Sequence, residues 1–221
     1  MRRMVLWDFD GTLADTAGDV WRSLDYAAKL CGGSLPETYK NDAAHLGEPM
    51  SDIFRRIEPF PGEAAFAQFK NGVTTHYRTM NDYAATRLYP GVLALLSELR
   101  LERITNVIVT DKPRQALERL LRAKGWADLF DGWASPDSIP GRQMDKTAMI
   151  GTILHRYQAD ANHCIYVGDR WGDIEAARRN GIDCIAVTYG DGEARLLQEH
   201  APAYCVDDVT SLGLALKERM V

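Results

Sequence analysis

Short apolar runs that end on an acid or a hydroxyl residue alternate with stretches of helical period, and this alternation limits the fold more than any other feature. Met4-Val5-Leu6-Trp7 runs straight into Asp8. Asn106-Val107-Ile108-Val109-Thr110 is β-branched and reads as a buried strand. Cys164-Ile165-Tyr166-Val167 and Cys184-Ile185-Ala186-Val187 are two more, with short candidates at 132–134 and 204–206. Between the runs the period changes. Val92, Leu95, Leu96 and Leu99 recur at i, i+3, i+4, i+7. Pro113 opens a second helix, whose apolar face is Leu117, Leu120 and Leu121 and whose cap is Gly125. Further helices are expected over 146–157, 173–180 and 209–216. Strands alternating with helices require right-handed crossovers and a parallel sheet covered on both faces, an α/β fold.

One block breaks the alternation. Between Asp15 and about Leu88 no strand is evident, and helices are expected over 19–30, 50–57 and 63–80. Gly32-Gly33, Pro36 and Pro59-Phe60-Pro61-Gly62 punctuate them. Residues 15–88 therefore read as an inserted all-helical domain, and 1–14 with 89–221 as the core. At roughly 150 residues per domain, a chain of 221 residues has room for a core and a small insert.

Composition removes several classes of function. The chain has 26 Lys+Arg against 31 Asp+Glu, a net charge of −5, which argues against non-specific nucleic-acid binding. No run approaches the roughly 20 apolar residues of a membrane span, and Asp8 and Asp10 interrupt the first apolar stretch too early for a signal peptide. Cys31, Cys164, Cys184 and Cys205 form no C-x-x-C pair and read as buried, reduced thiols. The expectation is a cytoplasmic protein, monomer or homodimer, with no nucleic-acid or membrane partner. No Walker loop, G-x-S-x-G or H-E-x-x-H occurs.

In parallel sheets ligands bind at the carboxyl ends of the strands. There the chain carries Asp8-Phe9-Asp10-Gly11-Thr12, Thr110-Asp111-Lys112 and Gly168-Asp169-Arg170-Trp171-Gly172-Asp173, with Lys146 opening the helix between the last two. Convergence would crowd Asp8, Asp10, Asp169 and Asp173, a costly arrangement that a hard cation such as Mg2+ relieves. Lys146 and the Thr110 hydroxyl add a cation and a donor. Acids, metal, lysine and hydroxyl together suit phosphoryl transfer. Asp8 can serve as a carboxylate nucleophile that forms an aspartyl-phosphate. Asp10, two residues on along an extended backbone, can act as general acid and then base.

These motifs resemble those of the haloacid dehalogenase superfamily, in its phosphatase branch with a helical cap inserted after the first motif. The segment from Asp8 to Asp15 is similar to the family's first motif, Thr110 to its second, Lys146 to its third and the segment from Gly168 to Asp173 to its fourth. The resemblance implies a Rossmann-like three-layer core, a cap over residues 15–88, Mg2+ and an aspartyl-phosphate. It implies that Asp8, Asp10 (through its backbone carbonyl) and Asp169 serve the metal, that Asp173 supports the metal or Lys146, and that Thr110, Asp111 and Lys146 hold the phosphoryl group. Lys146 is followed by Thr147 where many relatives carry proline, and Lys112 is the alternative lysine. Leu13-Ala14-Asp15-Thr16, Thr110-Asp111-Lys112-Pro113-Arg114 and Ala186-Val187-Thr188-Tyr189-Gly190 look most like phosphoglycolate phosphatases. The implied function is hydrolysis of a small phosphorylated metabolite, with a sugar phosphomutase (β-phosphoglucomutase-like) as the alternative. Specificity is expected from the insert, where His45, Arg55, Arg56 and Arg78 are candidate anion contacts and 45–49 a shaped loop.

Overall fold

The computed structural model describes residues 3–220. Along the chain the elements are β1 (Met4–Trp7), β2 (Ala14–Asp15), α1 (Ala17–Leu30), α2 (Glu37–Lys40), α3 (Met50–Arg55), α4 (Phe66–Thr75) and β3 (Arg87–Leu88). Then follow α5 (Val92–Leu101), β4 (Thr105–Val109), α6 (Arg114–Lys124), β5 (Gly132–Ala134), α7 (Lys146–Tyr157) and β6 (Cys164–Gly168). The chain closes with α8 (Trp171–Arg179), β7 (Asp183–Val187), α9 (Ala194–Glu199), β8 (Tyr204–Val206) and α10 (Val209–Met220). It forms two compact units, Met1–Asp15 with Arg87–Val221, and Thr16–Thr86.

The first unit is built on a six-stranded sheet in the order β5-β4-β1-β6-β7-β8, parallel throughout. Alternate residues of each strand face opposite sides. Met4, Leu6, Val107, Val109, Cys164, Tyr166, Cys184 and Ala186 make one buried face, covered by Met149, Ile150 and Ile153 of α7, Ile174 and Ala177 of α8, and Leu197 of α9. Val5, Trp7, Ile108, Ile165, Val167, Ile185 and Val187 are equally buried on the other side, where α5 packs on β4 and α10 on β7 and β8. This is the α/β three-layer core. The chain leaves β1 toward β4 on one side and later crosses to β6 on the other. Ligand crevices open where winding reverses in this way, and the ends of β1, β4 and β6 border it.

The second unit has its own core. Leu24, Ala27 and Ala28 of α1 pack with Ile53, Phe54, Ile57, Phe69 and Val73. Asp19 is fully buried in this unit. Its Oδ2 accepts the Thr86 N–H and hydroxyl, each at 2.7 Å, and its carbonyl accepts from Asn81 Nδ2 at 2.7 Å.

Several local expectations are corrected. The 173–180 helix begins earlier, at Trp171, where the Asp173 side chain accepts the Arg170 N–H and the Asp173 N–H donates to the Arg170 carbonyl. The 63–80 helix is a 3-10 turn (Glu63–Ala65), α4, and a π turn (His76–Met80). The 45–49 loop overlaps a 3-10 helix, Ala43–Gly47, capped by the Asp42 side chain. The 209–216 helix runs on to Met220, and α9 was not anticipated, being a single turn and a half without a periodic face. Strands β2 and β3 pair antiparallel where the block without strands was expected to begin and end; two-residue strands leave no periodic signature. Only Cys164 and Cys184 are buried thiols. Cys205, in edge strand β8, is exposed, and Cys31 is partly so. Among the described residues no helix is long and apolar enough to cross a membrane.

Candidate active site

Strand β1 delivers Asp8 to the edge of the sheet. Its N–H donates to Val167 O at 2.8 Å, which continues the ladder one residue past the strand, and the side chain is 7% exposed. Strand β6 delivers Asp169, and the first turn of α8 delivers Asp173. Carboxylate oxygens of Asp8, Asp169 and Asp173 all lie within 4.8 Å of one another. Asp10 is not in that cluster; its Oδ1 lies 2.8 Å from Lys112 Nζ.

Lys146 enters from the start of α7. Its Nζ is 2.5 Å from Asp173 Oδ1, 3.2 Å from Asp8 Oδ2 and 3.4 Å from Asp111 Oδ2. The Asp145 side chain caps α7 by accepting the Ala148 N–H at 2.7 Å, which sets where the helix, and so Lys146, begins. Asp173 has two tasks: Oδ1 takes Lys146 while Oδ2 accepts the Arg170 N–H at 3.0 Å. Thr110, at the end of β4, is buried and its Oγ1 accepts the Lys112 N–H at 3.2 Å. Asp111 is mostly exposed.

Around Asp169 the structure supplies partners that the strand-end reading overlooked. Thr12 Oγ1 donates to its Oδ1 at 3.1 Å and the Asp191 N–H to its Oδ2 at 2.9 Å. The loop after β7 lies directly on this carboxylate and on the turn after β1. A Cβ on Gly190 would stand 2.1 Å from Gly11 O, and one on Gly192 1.7 Å from Asp169 O. Gly11 itself has φ +78, and a Cβ there would meet Asp169 Oδ2 at 2.3 Å. Tyr189 OH donates to Thr12 O at 3.0 Å and fastens the same loop. Gly190-Asp191-Gly192 follows an apolar run as the other motifs do, so the strand-end rule applied to β7 would have found it.

The electrostatics are strained in one sense. Burial, reinforced by Asp173 and Asp169 and opposed by Lys146, raises the Asp8 carboxyl well above its ordinary range. Burial and the neighbouring Asp173 push Asp169 up to about 6. Burial works against the Lys146 ammonium, but Asp173 and Asp8 outweigh it and the group is held firmly charged. One ammonium against three buried carboxylates leaves an excess of negative charge. An all-oxygen donor set with surplus negative charge fits a hard divalent cation such as Mg2+.

In the helical unit, His45 stacks on Tyr39 with ring centroids 4.2 Å apart, and the Arg56 guanidinium lies 5.6 Å from the same ring. Arg55 pairs with Asp52 and Glu63 on the surface.

Residues 5–187 match the family described as haloacid dehalogenase-like hydrolase. The chain belongs to that family. A phosphoglycolate phosphatase of Agrobacterium fabrum is 31% identical over 99% of this chain and 94% of its own length. A 5'-nucleotidase of Pseudomonas aeruginosa is 29% identical over 96% of this chain and 95% of its own. The fold superposes on a Clostridium difficile protein designated a phosphatase with a TM-score of 0.85 and 25% identity, over 100% and 99% of the two chains. The haloacid dehalogenase-like chain described here is thus a phosphoric monoester hydrolase.

Proposed function

We propose that this haloacid dehalogenase-like phosphatase hydrolyses a small phosphomonoester through an aspartyl-phosphate on Asp8, with Mg2+ as cofactor and phosphoglycolate as the first substrate to test. One observation carries the reading: Asp8 sits at the mouth of the central strand, 3.2 Å from Lys146 and inside the cluster with Asp169 and Asp173. Asp8 Oδ attacks phosphorus as the ester oxygen departs, and Asp10 gives that oxygen its proton. Asp10 then takes a proton from the water that attacks phosphorus in the acyl phosphate, releasing inorganic phosphate and restoring Asp8. Thr110, Lys146 and the Asp111 backbone N–H bind the phosphoryl oxygens and offset their charge. Asp8, Asp169, Asp173 and the Asp10 carbonyl would hold Mg2+, which supplies charge neutralisation for an anionic nucleophile facing an anionic phosphate.

The helical unit, Thr16–Thr86, is in this reading the cap that selects the leaving group. Phosphoglycolate is favoured because the Agrobacterium relative bears that name, and four free cysteines agree with a cytoplasmic setting.

The test is phosphate release from phosphoglycolate, nucleoside monophosphates and sugar phosphates, with Mg2+ or with chelator. Activity is expected with Mg2+ only and should fall at least about 1,000-fold in Asp8→Asn. Undiminished turnover by that variant ends the nucleophile assignment.

A further inference from the structure

Lys112 is the unexplained cation of the site. Its side chain is 1% exposed, yet it lies beyond the carboxylate cluster that Lys146 serves. Burying an ammonium is costly unless it is paired in good geometry, and here Nζ meets Asp10 Oδ1 at 2.8 Å. Its stem is held from both ends. The backbone N–H is tied to Thr110 Oγ1, and the ammonium lies 5.8 Å from the Phe9 ring centroid. Pro113 follows it and biases its backbone away from helix. The Asp10 side chain by contrast is 33% exposed.

From this geometry we infer that Lys112 is a positioning residue for Asp10. It holds one carboxylate oxygen and so fixes the direction from which the other meets the ester oxygen. The inference rests on the reading of Asp10 as general acid. It adds that the loop after β4 aims a group carried by the loop after β1, and it assigns Lys112 no direct contact with the phosphoryl group.

A misaimed acid harms substrates in proportion to their need of it. Alkyl phosphates expel a strongly basic alkoxide, whereas p-nitrophenyl phosphate expels a stable phenolate. The experiment compares kcat/KM, which reports steps only through phosphoryl transfer to the enzyme, for phosphoglycolate and p-nitrophenyl phosphate. Lys112→Met, similar in length and uncharged, is expected to lose about thirty-fold or more on the alkyl ester, part of the 10²–10⁴ that a general acid supplies. On the aryl ester the loss should stay under about three-fold. Asp10→Asn should show the same selectivity more strongly, and the double variant should add little to it. Lys112→Arg, which keeps the charge but displaces it, should give a smaller selective loss and serves if Lys112→Met does not fold. Equal losses on both esters in the Lys112 variants, with Asp10→Asn still selective, overturn the inference alone and make Lys112 a phosphate-binding or structural residue. An unselective Asp10→Asn overturns the role of Asp10 itself, and this inference with it.

Discussion

Gly192 has a backbone carbonyl where a side chain would begin. The 1.7 Å approach to Asp169 O means that alanine can be fitted only by lifting the loop, since neither partner is the end of a flexible side chain. Lifting it withdraws the Asp191 N–H from Asp169 Oδ2. With Asp169 as a ligand of Mg2+ in the proposed function, Gly192→Ala is therefore expected to weaken Mg2+-dependent activity about 10- to 100-fold, the usual cost of losing a partner that orients such a ligand. Gly172→Ala, where a Cβ would meet nothing within 4 Å, is the control and should be near neutral. Activity measured against Mg2+ concentration checks both, and an unaffected Gly192→Ala would show that the loop is not needed to orient Asp169. The same scale explains what a one-dimensional reading overlooks. Thr12 and Asp191 look like ordinary loop residues, and their importance lies in one partner, Asp169, which is 157 and 22 positions away.

At the scale of elements, helix α7 ties stability to chemistry. Its cap and the lysine that reaches Asp8 and Asp173 are adjacent residues, so the carboxylate that starts the helix also sets the register of Lys146. Asp145→Ala should cost about 1 kcal/mol of folding stability and lower turnover, while Asp145→Ser should restore most of both. Urea unfolding and steady-state assays measure the two effects. Loss of activity with no loss of stability would mean that Asp145 acts otherwise than as a cap. The helix was legible from its sequence because its apolar positions repeat and an N-cap acid precedes them. Helix α9, six residues long with Leu197 its one buried residue, carries no such pattern.

For the molecule as a whole, the carboxylate cluster makes fold, proton and metal compete. Asp169 titrates near 6 in the folded chain against an ordinary 3.8. A carboxyl whose folded pKa is raised binds its proton more tightly when folded. Its favourable contribution is thus present at low pH and is lost as pH rises from about 4 through about 6. Above that range the charged cluster destabilises the metal-free chain, and a divalent cation offsets it. At a free concentration ~100 times Kd, binding adds about 2.7 kcal/mol. The rise in melting temperature on adding Mg2+ to chelator-treated protein should accordingly be larger at pH 7.5 than at pH 5. A rise that is equal or larger at pH 5 would contradict this linkage.

What the chain's order of residues determined by itself was periodicity and punctuation. Alternating apolar runs and helical stretches specified a parallel α/β core with a helical insertion, and Asp8, Thr110 and Asp169 stood out because each terminates a run. Those are local properties, written in the spacing of neighbouring side chains. The tertiary structure decided which side chains meet. It put Asp8, Asp169 and Asp173 in one cluster but turned Asp10 toward Lys112, gave Asp173 both a lysine and a helix cap, and laid the Gly190–Gly192 loop on Asp169. The physical reason is that strand order, crossover and close packing are set by burial of the entire sheet. A carboxylate's partner is chosen by that packing and leaves no trace in the spacing along the chain.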